Sequence, residues 1–242
     1  MNHSTNPYTE REARILDAAA ALIQRQGYDK TTMSEIADEA GVSRGILYLH
    51  FANKDALFEA LLMRELLRYS ASWIEYIEAD PQGGTLGGLF RAVLYAVNQN
   101  PFMTAISKRD RRVFGNYLRK PDNLLLKLGS PASQTEFVQE MQEAGAIRKD
   151  VSAAMIVQLS NILSYGVMGM YGVEEVDNSA QYDELMTAMA EMLDRFLLPE
   201  GGADREAGKA VIRRLAHKAR SQLEQLRQSR EAKANEASPR PT

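Results

Sequence analysis

The chain has 242 residues, 45% hydrophobic and 25% charged, enough to bury a core and to form one or two domains. It has no cysteine, which excludes disulfides and thiolate metal sites, and its three histidines (His3, His50 and His217) stand far apart in sequence. The net charge of −3 argues against coating nucleic acid by bulk charge, but leaves room for a few cations placed locally.

The opening "MNHSTNPYTE" is polar and lacks the apolar run of a signal peptide. No apolar stretch reaches the roughly 18 residues that a spanning helix needs. The chain therefore reads as soluble and cytoplasmic, with no membrane contact. It shows no metal-ligand spacing, phosphate-cradling glycine loop or nucleophile–base pair, so neither a cofactor nor an enzymatic role is expected.

In chain order, "TEREARILDAAAALIQRQGY" places Ile15, Ala18, Ala19, Leu22 and Ile23 at helical spacing and stops at Gly27. In "TTMSEIADEAGVS", Thr32 and Glu35 form a T-x-x-E capping box, and Gly41 closes the helix. A third helix, after Ser43, is unusually short. Asn53 is a plausible cap for a fourth, from Lys54 to about Glu78, ahead of the breaker "DPQGGTLGG". Further helical stretches are expected over Leu86–Asn98, Phe102–Tyr117, Asp122–Leu128, Gln134–Glu143, Val151–Tyr171 and Ala180–Leu198. A charged helix after "PEGGAD" fades into "SPRPT". The fold class is all-α, with three expected parts: 1–53, 54–200 and 201–242.

A tight glycine turn between a helix and a short second helix is the geometry of a helix-turn-helix. Ala37 is small where the two helices would cross, and Val42 and Leu47 would be buried between the helices. Ser43 would cap the short helix, leaving its first amides pointing outward. Gly45 would let the backbone approach a surface, and Arg44 could donate to guanine or phosphate. Tyr48, His50 and Lys54 follow as a row of donors suited to a phosphate backbone. Phe51 belongs to the core.

Residues 11–62, and above all "TTMSEIADEAGVSRGILYLHFANKDALFEALL", resemble the DNA-binding domain of the tetracycline-repressor (TetR) family of bacterial regulators. The pattern T-x-x-x-I-A-x-x-A-G-V-S-x-G-x-L-Y-x-H-F-x-x-K-x-x-L is nearly complete, and the resemblance covers about a quarter of the chain. It implies a homodimer that binds a roughly palindromic double-stranded operator and usually represses a nearby promoter. By position it implies that Ser43, Arg44, Gly45 and Tyr48 face bases or adjacent phosphates. Thr31, Thr32, Tyr48, His50 and Lys54 would grip the backbone. Leu49 stands where many members place a polar or basic residue. Activation instead of repression, and binding without sequence preference, are the alternatives.

In this family the remaining helices form a ligand-binding and dimerisation domain. Phe90, Leu94, Phe102, Met103, Phe114, Tyr117, Met141, Met155 and Tyr165 suit an apolar pocket for a small ligand of unknown identity, and suit an ordinary core equally well. On one continuous helix Ile106, Asp110, Val113 and Tyr117 would share a line, so that Asp110 interrupts an apolar stripe and faces a cation or a wet cavity. Arg109, Arg111 and Arg112 could receive an anion or form a solvated face. The segments "MIVQLSNILSYGVMGMYG" and "YDELMTAMAEMLDRFLL" would supply a four-helix dimer interface.

Overall fold

Several helices in this chain start where a side chain accepts from a free backbone N–H, as at Thr32, Ser43, Thr85 and Asp110. The computed structural model describes residues 7–107, 110–121, 123–124, 131–173 and 179–237, and among them every regular element is helical. The elements are α1 (Pro7–Gln26), α2 (Met33–Ala40), α3 (Arg44–His50), α4 (Lys54–Ala79), α5 (Leu86–Gln99), α6 (Pro101–Ser107) and α7 (Arg111–Phe114). A 3-10 turn (Gly115–Arg119) precedes α8 (Pro131–Glu143), α9 (Ala153–Val173), α10 (Ser179–Leu197) and α11 (Arg205–Ala237). The larger expected helices are present with ends shifted by a few residues. The expected helix at Asp122–Leu128 lies largely outside the described residues.

The chain divides into two units. The first comprises Met1–Leu66, Arg109–Leu126 and Leu223–Thr242, and the second Leu67–Lys108 and Lys127–Gln222. This division cuts across the expected boundaries at residues 53 and 200: the first unit takes the N-terminal half of α4 and the segment around α7.

In the first unit α1 buries Ile15, Ala19 and Ile23 completely, against Ile36 and Ala37 of α2 and Leu47 of α3. Val42 is only half-buried, whereas Phe51 joins the core. From α4, Leu57, Phe58, Leu61 and Leu62 are wholly buried. Arg64 holds α4 to α1 through Asp17 at 2.7 Å and pairs with the buried Glu65 at 2.9 Å.

The segment after α6 differs from the continuous helix that its apolar spacing predicts. α6 ends at Ser107, and Asp110 caps α7 by accepting from the Arg112 N–H at 2.8 Å. The Asp110 carboxylate also pairs with the Arg112 guanidinium at 3.0 Å. That hydrogen bond is the main reason its pKa lies below the ordinary value. Asp110 is thus a helix cap with its own cation, not a charge interrupting an apolar stripe. Beyond it, Phe114 and Tyr117 are fully buried, and Phe58 stands edge-on to Tyr117 with ring centroids 4.7 Å apart.

The core of the second unit gathers Trp73 and Ile77 of α4, Ala92 and Ala96 of α5, and Val138 and Met141 of α8. Ile156 of α9, Leu193 and Leu197 of α10, and Val211, Ile212 and Ala216 of α11 complete it. The buried Lys209 caps α4 by donating to the Glu78 carbonyl at 3.2 Å, and Arg213 donates to the Glu78 carboxylate at 2.8 Å. These contacts and Val211, Ile212 and Ala216 hold the first half of α11 in this unit. Among the described residues no helix is long and apolar enough to cross a membrane.

Candidate nucleic-acid interface

The short helix α3 is held at both ends by local chemistry. Thr32 begins α2: its hydroxyl accepts from the Glu35 N–H at 3.2 Å, while the Glu35 carboxylate accepts from the Thr32 N–H at 2.8 Å. The hydrogen bond from the Thr32 hydroxyl, first among several contacts, holds the Glu35 carboxyl below its ordinary pKa. At the other end of α2, Gly41 adopts φ 64°, the left-handed region that favours glycine. The Gly41 and Val42 N–H groups then donate to the Asp38 and Ala37 carbonyls, turning the chain sharply. Ser43 caps α3, its Oγ accepting from the Ile46 N–H at 3.3 Å.

Of the seven residues of α3, only Leu47 is buried, and it anchors the helix to the core. Arg44, Gly45, Tyr48 and Leu49 are exposed, and Ile46 and His50 are half-buried. A Cβ built on Gly45 would have the Ser43 Oγ as its nearest neighbour, at 3.9 Å. The fold leaves room there for a side chain, although glycine weakens a helix interior by about 0.5–1 kcal/mol relative to alanine. The His50 pKa is lowered, by burial first and by the Arg11 charge second. At neutral pH its ring can therefore offer an N–H to a phosphate, but little charge.

Two of the expected backbone-gripping residues have structural duties in the domain. Thr31 is fully buried, and its hydroxyl donates to the Gly27 carbonyl at 2.8 Å, closing the turn between α1 and α2. Its side chain is turned into the fold in this structure. The Lys54 ammonium donates to the carbonyls of Tyr28 at 2.9 Å, Thr31 at 3.0 Å and Asp29 at 3.4 Å, and lies 4.3 Å from the centre of the Tyr28 ring. Its three protons are spent inside the domain.

Sequence reading missed a clasp on this turn. Gly27, at φ 84°, is approached so closely by the Arg112 carbonyl that no side chain fits. The Tyr28 N–H donates to the Val113 carbonyl at 2.8 Å, and the Asn116 N–H donates to the Asp29 carboxylate at 3.1 Å. Asp55 accepts from both the Tyr28 hydroxyl and the Lys120 ammonium. Burial alone would raise the Asp55 pKa, but the Lys120 and Tyr28 hydrogen bonds and the nearby lysine charges outweigh it and hold the carboxyl below the ordinary range. Tyr28 is pushed the other way, by burial first and by its bond to Asp55 second. The available signal was the charged pair Asp55 and Lys120, but no spacing rule joins residues 65 positions apart.

The residues expected to line an apolar pocket are divided between the two units. Asp110, Phe114 and Tyr117 belong to the first unit. In the second, Phe90 and Leu94 pack with Met186 and Met189, while Met141 lies in the main core. Phe102 and Met103 are buried on α6, Met155 is 49% exposed, and the side chain of Tyr165 lies outside the described residues. A cavity of about 490 Å³ in this unit is polar, with Tyr76, Asp80, Arg91, Glu191 and Asp194 among its walls. Arg91 bridges Asp80 and Asp194 there, at 3.6 and 3.3 Å.

Residues 15–61, which run from α1 through α2 and α3 into α4, match the family described as "Bacterial regulatory proteins, tetR family". Over those residues the chain carries a DNA-binding domain of the TetR type. Over a longer stretch, the chain is 27% identical over 184 residues to the HTH-type transcriptional regulator UidR of Escherichia coli K12, across 73% of this chain and 89% of that one. A TetR-family transcriptional regulator from Mesorhizobium loti shares its fold with a TM-score of 0.60 at 21% identity, over 79% of this chain and 98% of that one. The transcriptional regulator FadR from Bacillus subtilis, solved in complex with stearoyl-CoA, does so with a TM-score of 0.55 at 21% identity, over 75% and 96%. The matched domain and the likeness to UidR make the chain a DNA-binding transcriptional regulator, not an enzyme.

Proposed function

We propose that this regulator works in the cytoplasm as a homodimer on a roughly palindromic operator, represses from it, and is released by a small ligand. The observation that carries the reading is α3 itself: a capped, seven-residue helix, anchored by one buried leucine, with Arg44, Gly45 and Tyr48 open to a partner. Arg44 supplies base or phosphate donation, and Ser43, Thr32, Tyr48 and His50 supply neighbouring polar contacts. Lys54 supports the interface from behind by fixing the turn between α1 and α2.

Dimerisation is supported by the open apolar side chains of the second unit. Met155 and Ile162 on α9, and Met192 and Phe196 on α10, are 42–66% exposed. Two such helices from each of two protomers make a four-helix interface. Ligand release is supported by the stearoyl-CoA bound to FadR and by the methionine-rich cluster of Phe90, Leu94, Met186 and Met189, whose adaptable walls suit an apolar guest. The clasp from Asp110 to Lys120 fixes the turn that carries α2 and α3, so its displacement would disturb the reading head. Coupling of this kind is reciprocal: operator must weaken the ligand by the factor by which ligand weakens operator.

Sedimentation of the protein with a selected duplex tests the reading. Two protomers per duplex are expected; one protomer per duplex, or continuous coating of any sequence, contradicts it.

A further inference from the structure

Leu49 is the most exposed large apolar side chain among the described residues, at 78%. The others with this character, apart from its neighbour Tyr48, belong to the second unit, where a dimer interface accounts for those on α9 and α10. In the first unit, Tyr48 and Leu49 stand alone and adjacent, both on α3. An exposed leucine is unremarkable on a random surface. Here it occupies a helix of seven residues whose position in the domain is otherwise fixed by caps and by Leu47.

Helical geometry fixes its direction. At about 100° per residue, Gly45 and Leu49 lie roughly 160° and 200° around the axis from Leu47, so together they form the line farthest from the core. Arg44 and Tyr48 fall on one flank of that line. The outermost line of the reading helix therefore carries, one turn apart, a glycine that the fold does not require and a leucine that the fold does not bury. A glycine there admits close approach, and the leucine one turn on then meets whatever has approached. Leucine has no hydrogen bond to give to a phosphate. In the major groove, the apolar group available to it is the C5 methyl of thymine.

We infer that Leu49 is a specificity-determining residue that packs against a thymine methyl in each half-site. The inference rests on the DNA-reading function proposed above and adds the base at one position.

The test removes one methyl group at a time. An operator is first selected from a random pool by the wild-type protein. Each thymine of one half-site is then replaced by deoxyuridine, which keeps the base pair and loses the methyl, and binding is measured for wild type and for Leu49→Ala. Because Leu49 is exposed, the variant should fold; a circular dichroism melt checks this. At one thymine the wild type should lose about fourfold in affinity, the value of one buried methyl-sized group, and Leu49→Ala should show no such loss. Selection repeated with Leu49→Ala should no longer demand thymine there. A methyl effect that persists unchanged in Leu49→Ala, or the absence of any methyl-sensitive position, overturns the inference while leaving the DNA-reading function intact. Failure of the wild-type protein to select any operator overturns that function, and the inference with it.

Discussion

Gly45 separates what the fold needs from what the partner needs. Nothing in the domain occupies the space of its missing side chain, so Gly45→Ala should raise stability in urea unfolding by about 0.5–1 kcal/mol. The same methyl projects from the outermost line of α3 and should weaken operator binding; a variant both more stable and fully active would remove the close-approach role. Arg44 offers the complementary case, since its exposed side chain supports no packing. Arg44→Ala should leave unfolding unchanged and relax preference at a single base position, by about 1–3 kcal/mol if the contact is bidentate to guanine. Lys54 behaves oppositely. With its ammonium on three carbonyls, Lys54→Met should cost stability, about 1.5–3 kcal/mol for hydrogen bonds from a charged donor, and weaken all duplexes alike. The sequence motif marks Lys54 and Thr31 as important, but it cannot distinguish a side chain that faces DNA from one that holds the turn behind it.

At the scale of elements, legibility follows the range of the interactions. α2 and α3 could be read because their determinants are local: the Thr32–Glu35 box, the left-handed Gly41 and the Ser43 cap all act within three or four residues. The stretch from Phe102 to Tyr117 could not. Its apolar residues keep helical spacing across the break, while the local Asp110 cap is joined by tertiary contacts: the backbone bond from Tyr28 to Val113, the Asp29 carboxylate on Asn116, and the Asp55–Lys120 pair. The packing of Phe114 and Tyr117 on Phe58 is equally long-range, and no spacing rule announces it. The clasp gives a pH prediction with a definite sign. The folded pKa of Asp55 is depressed, so its stabilising contribution is complete above the unfolded value near 3.9 and is lost as pH falls through the folded value. Asp55→Asn should destabilise by about 1 kcal/mol at neutral pH, a modest figure because both partners are a third or more exposed. Its disadvantage should shrink on acidification below about pH 4. A deficit that stays constant with pH would remove Asp55 from the clasp.

For the whole molecule, one chain carries one seven-residue reading helix, too little surface for a tight and specific complex by itself. In the proposed dimer a second protomer supplies the rest. Ile162→Asp places a charge among the open apolar side chains of α9 and should yield a monomer by sedimentation. Operator affinity should then fall on the order of 10²-fold, because the second half-site no longer benefits from tethering. Retention of both dimer and affinity would move the interface elsewhere. The central claim, sequence-specific reading by a two-fold dimer, is tested most directly by selecting bound duplexes from a random DNA pool at near-physiological salt. We expect a single enriched palindrome whose half-sites are spaced by about 34–36 Å, one helical turn, or a multiple of it. Binding that falls steeply with salt and enriches no sequence would contradict the account and make the protein a non-specific DNA-binding protein.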